Sequence, residues 1–249
     1  MSVQSIDRTF NILELLSGQD DGLSLSEIAE RIDLPKSTVH RLLKVLRERN
    51  YIEKSDSVYR LGLAFIELCS GLLNSLELKT EARVDLKRLS QQTGQVVFLA
   101  IQHESDIVYF DRIEKHHEIR DYCFIGQRRP LYCTALGKSL LIGLSEEEIR
   151  ELIDPKSMVS YTEHTITDLD TLIKDVQVSR ARGYSIDNEE VEYGMKCIAA
   201  PIRDYRNMVI AAVSTSWDLS SMKEDVGERN IQLVTETARA ISMRMGYRG

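Results

Sequence analysis

Positive charge is concentrated between Lys36 and Arg49, in residue types that suit contact with a polyanion. The segment holds five lysines or arginines and one acidic residue, a local charge of +4 with His40 neutral. The chain as a whole has a net charge of −7. A cationic strip on an acidic protein neutralises phosphates where it docks, while the remaining surface disfavours indiscriminate binding. The pattern favours DNA as a partner, and the alternative is a solvated basic helix face.

The same segment has the apolar spacing of an amphipathic helix, at Val39, Leu42, Leu43 and Leu46. At about 100° per residue, the opposite side of this helix presents polar side chains that can enter a groove of DNA. The predicted DNA-binding residues are Lys36, Ser37, Thr38, His40, Arg41, Lys44 and Arg60. We expect Ser37 and Arg41 to contact the bases of the DNA site, and Lys36 and Lys44 to contact phosphate.

A shorter helix and a tight corner precede this segment. Ser24 and Glu27 have the spacing of a capping box, in which each side chain satisfies an unpaired backbone N–H. The corner is the sequence Asp33-Leu34-Pro35. Pro35 disfavours helical geometry in the residue before it and is tolerated in the first turn of a new helix. The region from 23 to 46 therefore predicts a helix-turn-helix.

Flanking segments extend this unit to about sixty residues. Ile6, Phe10 and Leu13 predict an earlier helix that packs behind the pair. Residues 51–54 and 58–61 alternate as a hairpin with a polar tip at 55–57. Three helices followed by a hairpin are typical of a winged helix-turn-helix, whose third helix reads the major groove.

Length and composition predict a second, larger domain. The chain has 249 residues and is 43% hydrophobic, enough for two packed cores. We expect a DNA-binding domain in 1–61, a linker helix in 62–76 and a second domain in 77–249. The apolar 62–76 segment has the alternative of belonging to a single core. With no long apolar run and no signal peptide in the sequence, we expect a cytoplasmic protein.

The four cysteines are Cys69, Cys123, Cys133 and Cys197, and their wide spacing fits no metal motif. We interpret them as reduced thiols and expect neither a metal nor a cofactor. The adjacent histidines His116 and His117 are the one remote alternative for a metal.

Beyond residue 76, helical and strand patterns alternate. The predicted helices are 77–92, 134–143, 168–181 and 228–245; the predicted strands are 96–101, 107–113, 119–124, 197–202 and 208–216. This order predicts an α+β domain, an antiparallel sheet flanked by helices.

Two segments of this second domain, GQRRPLYCTALGKSLL (Gly126–Leu141) and GYSIDNEEVEYGMKCIAAPI (Gly183–Ile202), complete a resemblance that begins with the winged helix. Together they resemble the IclR family of bacterial transcription regulators over essentially the full chain. Within it, the segments 107–138 and 187–202 are most similar to the branch that senses 2-keto-3-deoxygluconate in pectin and uronate catabolism. The resemblance implies a GAF-like effector domain, a palindromic operator, a homodimer or homotetramer, and a repressor controlled by a small keto or sugar acid.

The resemblance also implies which residues bind that acid. They are Ala135 and Leu136 at a helix start, Asp187 and Met195 in a covering loop, and Cys197, Ser214 and Ser216 on a hairpin. Ser214 and Ser216 alternate along one strand and so point to the same side, and Asp187 accepts hydrogen bonds from hydroxyls. Arg120 and Arg128 are further candidates, because a guanidinium binds a carboxylate bidentately.

Simpler interpretations stand beside these. Asp187, Glu189, Glu190 and Glu192 fit a solvated acidic loop, Ser214 and Ser216 fit the polar side of an edge strand, and Cys197 fits a small buried residue. Regulators of aromatic-acid or glyoxylate-type metabolism share the framework. An enzyme acting on a sugar acid is the remaining alternative, but the sequence has no nucleophile elbow, phosphate loop or metal motif. We therefore expect a regulator without catalytic residues.

Overall fold

The structure is a computed structural model, and it describes residues 4–19, 21–68, 77–114, 124–221 and 224–249. The chain divides into two compact units, Met1–Leu76 and Glu77–Gly249. None of the helices in the described ranges combines the length and the apolar character that crossing a bilayer requires.

The first unit has the predicted winged helix-turn-helix order. Its elements are α1 (Gln4–Ser17), β1 (Leu23–Ser24), α2 (Leu25–Arg31), α3 (Lys36–Glu48), β2 (Ile52–Ser55) and β3 (Val58–Leu61). The Ser24–Glu27 capping box at the start of α2 is confirmed, with both reciprocal hydrogen bonds present. Strand β1 was not predicted, because two residues are too short for a periodic signal; it pairs with β3, which lies between β1 and β2.

The packing face of α1 differs from the predicted one. Ile12 and Leu16 are buried in the core of the unit, whereas Ile6 is 51% exposed and Phe10 is 57% exposed. The helix carries apolar residues on more than one side, so helical spacing alone selected the wrong pair. Leu13, the third predicted residue, is partly buried against the same core.

The second unit is built on one six-stranded antiparallel sheet. Its elements are α4 (Glu77–Thr93), β4 (Val97–His103), β5 (Asp106–Ile113), β6 (Arg128–Pro130), α5 (Ala135–Leu141), α6 (Glu146–Leu152), a 3-10 turn (Pro155–Ser157), α7 (Leu169–Arg182), β7 (Ser185–Asn188), β8 (Met195–Arg203), β9 (Val209–Asp218), a second 3-10 turn (Leu219–Ser221) and α8 (Glu224–Arg244). The strand order is β6-β5-β4-β9-β8-β7. Helices α4 and α8 pack on each other and on the sheet, and α5 packs on the other face with α7 beside it.

The α+β prediction is confirmed, and most element bounds shift by only a few residues. The edge strands β6 and β7 were not predicted, since their sequences RRP and SIDN contain too few apolar residues to show alternation. Asp187 therefore lies in strand β7 and Met195 begins β8, which corrects their assignment to a covering loop. The predicted strand 119–124 falls almost wholly outside the described residues, as does the second half of the predicted 62–76 linker helix.

Candidate functional site

Helix α3 begins directly after the predicted corner. Asp33 has a positive φ of 50°, Pro35 is the residue before the helix, and Val39 packs in the core of the unit. The outward side presents Lys36, Ser37, His40, Arg41 and Lys44 as exposed side chains, with Thr38 half-buried. Six of the seven predicted DNA-binding residues thus lie on one helix, and five of them are accessible to a duplex.

Arg60, the seventh, lies on β3 in the wing. Its Nε and Nη2 atoms donate to the carbonyl oxygen of Asp21 at 3.1 and 3.0 Å, which ties the wing to the segment before β1. On α3, Lys44 and Glu48 form an exposed ion pair at 3.8 Å, a type that contributes little to stability. Breaking this ion pair so that Lys44 can contact a phosphate therefore costs little free energy.

Most of the predicted effector residues of the second unit share one face of the sheet. Cys197 is the register partner of both Asp187 on β7 and Ser216 on β9, so these three residues form a row across the strands. Ser214 lies two residues along β9, which places it on the same face, and its register partners are Ala199 and Phe98. Because β9 lies between β4 and β8, the edge-strand interpretation of Ser214 and Ser216 is wrong.

Helix α5 covers this face very closely. All seven of its residues are buried, and the Thr134 hydroxyl caps it by accepting from Gly137 N at 3.0 Å. A Cβ atom at Gly137 would lie 2.2 Å from the Leu131 carbonyl oxygen, so only glycine fits there. Ala199 and Ala212 on the sheet pack in the same core and leave room for the helix. The Ser185 hydroxyl, two residues before Asp187 on β7, donates to the Ala135 carbonyl oxygen at 2.6 Å, so the start of α5 lies against the same face of the sheet.

A buried lysine links α5 to two other elements. Lys138 is 1% exposed; its Nζ lies 2.5 Å from Oε1 of Glu190 and 3.0 Å from Oδ2 of Asp175 on α7. A second link is the hydroxyl pair Ser139–Ser185, at 2.7 Å. Glu190 and Asp187 are both buried, so the solvated-loop interpretation is wrong for these two residues. Glu192 is exposed, as the solvated-loop interpretation predicts, and Glu189 is half-buried.

Burial sets the protonation of the groups around this lysine. Desolvation, reinforced by the nearby Glu190 carboxylate, raises the pKa of Asp187 from its ordinary 3.8 to about 7, although its Oδ1 accepts from Glu190 N at 2.8 Å. Burial and the same carboxylates raise the pKa of the Cys133 thiol to about 12. Near neutral pH, Asp187 therefore exists in both forms and can donate as well as accept, whereas Cys133 stays a neutral thiol.

One predicted effector residue within the described ranges, Arg128, is not brought to this face. Arg128 is on the edge strand β6, at the opposite end of the sheet order from β7, and it pairs with Asp106 and Glu104 at 3.0 Å each. Because β6 and β7 are the two opposite edges of the sheet, the structure does not bring Arg128 to the Asp187–Cys197–Ser216 row, which corrects its prediction as a member of that group. Arg120 lies outside the described residues.

Lys138, Asp175 and the Ser139–Ser185 pair were missed from the sequence. One signal was present: Lys138 is the only charged residue in the apolar run from Leu131 to Leu144. A lone lysine in a helix that is apolar on all sides indicates a buried, paired charge. Its partners come from distant segments, and no sequence pattern points to them.

The chain matches two family models and full-length relatives. The model of the bacterial transcriptional regulator IclR C-terminal domain matches residues 70–243, and that of the IclR helix-turn-helix domain matches residues 5–56. The HTH-type transcriptional regulator KdgR of Escherichia coli K12 is 34% identical over 248 residues, covering 99% of this chain and 94% of the relative. XynR of the same strain is 33% identical and covers 98% of both chains.

Solved structures agree with these matches. The crystal structure of the Thermotoga maritima IclR superposes with a TM-score of 0.82 at 30% identity, covering 99% of this chain and 100% of that chain. The helix-turn-helix match precedes the C-terminal-domain match in this chain, and the similarity to KdgR extends over 99% of the chain. The protein therefore belongs to the IclR family of bacterial transcriptional regulators.

Proposed function

We propose that this chain is a repressor that reads a palindromic operator with α3 and is controlled by a small keto or sugar acid bound on the α5-covered face of the sheet. The observation that carries the effector half is the row Asp187–Cys197–Ser216, with Ser214 beside it on the same face. The cationic, exposed side of α3 supports the DNA half. Ser37 and Arg41 contact base edges, and Lys36 and Lys44 contact phosphate.

The chemistry of the row favours an oxygen-rich acid. Ser214 and Ser216 offer hydroxyls that donate or accept, and Asp187 can do either near neutral pH. The amides of Ala135 and Leu136 at the start of α5 are the proposed partners of the effector carboxylate. We propose 2-keto-3-deoxygluconate as the effector, since KdgR is among the relatives and the sequence resemblance favours that branch.

Several features support binding rather than catalysis at this face. Cys197 shares its row with Asp187 and Ser216, and neither partner is a histidine that would activate a thiol or hydroxyl. Burial keeps the neighbouring Cys133 protonated. We propose that the protein is a regulator without enzymatic activity, located in the cytoplasm with its DNA target.

We propose that coupling between the two units passes through the segment 62–76, for which the sequence predicts a linker helix. As a homodimer or homotetramer, the protein presents paired readers to two half-sites of one operator. Effector binding changes the spacing or angle of these readers, and the coupling free energy sets how strongly operator affinity responds.

The test uses purified full-length protein and two acids. In a thermal-shift assay, 2-keto-3-deoxygluconate at a hundredfold excess over its dissociation constant stabilises the protein by about 2.7 kcal/mol. 4-Hydroxybenzoate is the probe of the aromatic alternative, since an IclR homologue of Microbacterium hydrocarbonoxydans was solved with it. Turnover of the sugar acid would favour an enzyme, and no response to either acid would contradict the proposed effector site.

A further inference from the structure

The segment between β7 and β8 is hydrogen-bonded to another loop of the same unit, the one that precedes α7. We call residues 189–194 the covering loop and residues 158–166 the threonine loop. The Thr162 hydroxyl donates to the Glu189 carbonyl oxygen at 2.6 Å, and the Thr165 hydroxyl donates to the Glu190 carbonyl oxygen at 2.6 Å. Thr162 is 5% exposed and Thr165 is 8% exposed. Two buried hydroxyls thus connect the backbones of the two loops.

Each hydroxyl is oriented by its own loop. Thr165 Oγ1 accepts from Tyr161 N at 3.0 Å and from Thr162 N at 2.9 Å, and Thr162 Oγ1 accepts from His164 N at 3.1 Å. With the lone pairs occupied in this way, the hydroxyl proton is directed at the covering loop. A serine can make the same set of bonds, whereas a valine of nearly the same shape makes none of them.

The residue held by Thr165 is also the residue that orients Asp187. Glu190 N donates to Asp187 Oδ1 at 2.8 Å, and the Glu190 side chain is paired with Lys138. If the Glu190 backbone moves, the amide leaves the Asp187 carboxylate and the carboxylate loses its fixed direction. Strand pairing fixes the backbone of Asp187, and the direction of its carboxylate depends on the segment that the threonine loop holds.

We propose that Thr162 and Thr165 are positioning residues of the effector site: they hold Glu189 and Glu190 so that Asp187 is oriented toward the bound acid. This inference rests on the proposed function of the α5-covered face. Neither residue belongs to that face, and neither was among the predicted effector residues.

The test measures affinity for 2-keto-3-deoxygluconate by titration calorimetry with the full-length protein. Thr165→Val and Thr162→Val each weaken binding about 10-fold, the effect of one lost buried hydrogen bond. Thr165→Ser and Thr162→Ser stay within about 2-fold of the unchanged protein, because the hydroxyl is kept. The matched control is Thr235→Val on α8, whose hydroxyl bonds only within its own helix, to Ile231 and Gln232, and which leaves affinity unchanged.

A pH profile separates positioning from a general loss of stability. The Glu190 amide lowers the pKa of Asp187, so its withdrawal moves the midpoint of the pH dependence of binding upward in the valine variants. If the unchanged protein binds the acid and the valine variants bind it with equal affinity and the same midpoint, the inference is overturned while the proposed function stands. If the unchanged protein binds neither this acid nor 4-hydroxybenzoate, the proposed function fails and the inference fails with it. If Thr165→Val does not fold, the affinity and pH midpoint of Thr162→Val test the inference.

Discussion

Helices α3 and α5 handle charge in opposite ways, and the contrast follows the task proposed for each unit. Helix α3 buries Val39, Leu43 and Leu46 and exposes its cations; the Lys44 side chain is 63% exposed. Helix α5 buries all seven of its residues, and Lys138 is 1% exposed between two carboxylates. A polyanion needs accessible charges that exchange water for phosphate, whereas a small ligand needs charges held at fixed positions.

The same contrast determines whether substitution of a single lysine or arginine changes binding or the stability of the fold. Removing an exposed cation changes binding and leaves the fold intact, because surface ion pairs are worth little. Removing a buried cation leaves its partners uncompensated in a low-dielectric interior. Substitutions of single charged residues in the two units test this difference, and the largest effect is expected for Lys138.

Lys138→Met should lower the free energy of unfolding of the second unit by about 3 to 5 kcal/mol, because Glu190 and Asp175 would lose their buried partner. Urea unfolding followed by fluorescence measures this, since Trp217 is the only tryptophan of the chain and is buried in β9. The control Lys174→Met changes an exposed lysine on α7 and should stay within about 0.5 kcal/mol. Equal effects from the two substitutions would show that Lys138 does not carry a buried ion-pair network.

Stability of the second unit should fall as the pH rises from about 4 to about 7.5. The folded state keeps the Asp187 proton up to a pKa of about 7, whereas the ordinary value is 3.8, so the folded state binds more protons in this window. The contribution is on the order of 2 to 4 kcal/mol. Asp187→Asn should flatten the dependence of urea midpoint on pH. If the urea midpoints of the unchanged protein and of Asp187→Asn depend on pH in the same way, Asp187 is not the group that titrates in this window.

Arg41→Ala should weaken operator binding by about 1 to 3 kcal/mol, which is roughly 5- to 150-fold, and should relax sequence preference at the contacted base. Mobility shift with an operator selected from a random duplex pool measures the loss. Arg83→Ala is the matched control, because it removes the same charge from an exposed site on α4 in the other unit. An Arg41→Ala protein that bound the operator normally would exclude Arg41 as a base contact.

Lys36→Ala and Lys44→Ala should have the smallest effects, because each removes one phosphate contact. Binding to all sequences should weaken, and the slope of log affinity against log salt should decrease by about one for each lysine. Fluorescence anisotropy over a series of salt concentrations gives the slope. A loss confined to the selected operator would instead indicate a base contact.

How much of this molecule the sequence predicts differs between the same two regions. The reader was predicted almost completely, because capping box, corner and apolar spacing are local signals in α2 and α3. The exception is α1, which has apolar residues on two sides; Ile12 and Leu16 are buried, whereas the predicted Ile6 and Phe10 are exposed. The wing was placed within one residue.

In the second unit the strong strands β4, β5, β8 and β9 were predicted, and so was the shared direction of Ser214 and Ser216. The short polar edge strands were not, and neither was the pairing of Lys138 with Glu190 and Asp175. These contacts join residues 37 and 52 positions apart, and only the folded chain brings them together. Arg128 shows the converse: its residue type suited a carboxylate ligand, but it pairs with Glu104 and Asp106 instead.

In the proposed regulator, an acid bound in the second unit changes how the first unit binds DNA. Fluorescence anisotropy of the selected operator, with and without saturating 2-keto-3-deoxygluconate, measures this coupling directly. We expect operator affinity to change by at least about 5-fold, and a Ser214→Ala, Ser216→Ala double variant to keep its affinity without ligand but lose the response. Thermal shift first shows that the acid is bound. If operator affinity is then the same with and without the acid, effector control of DNA binding is contradicted.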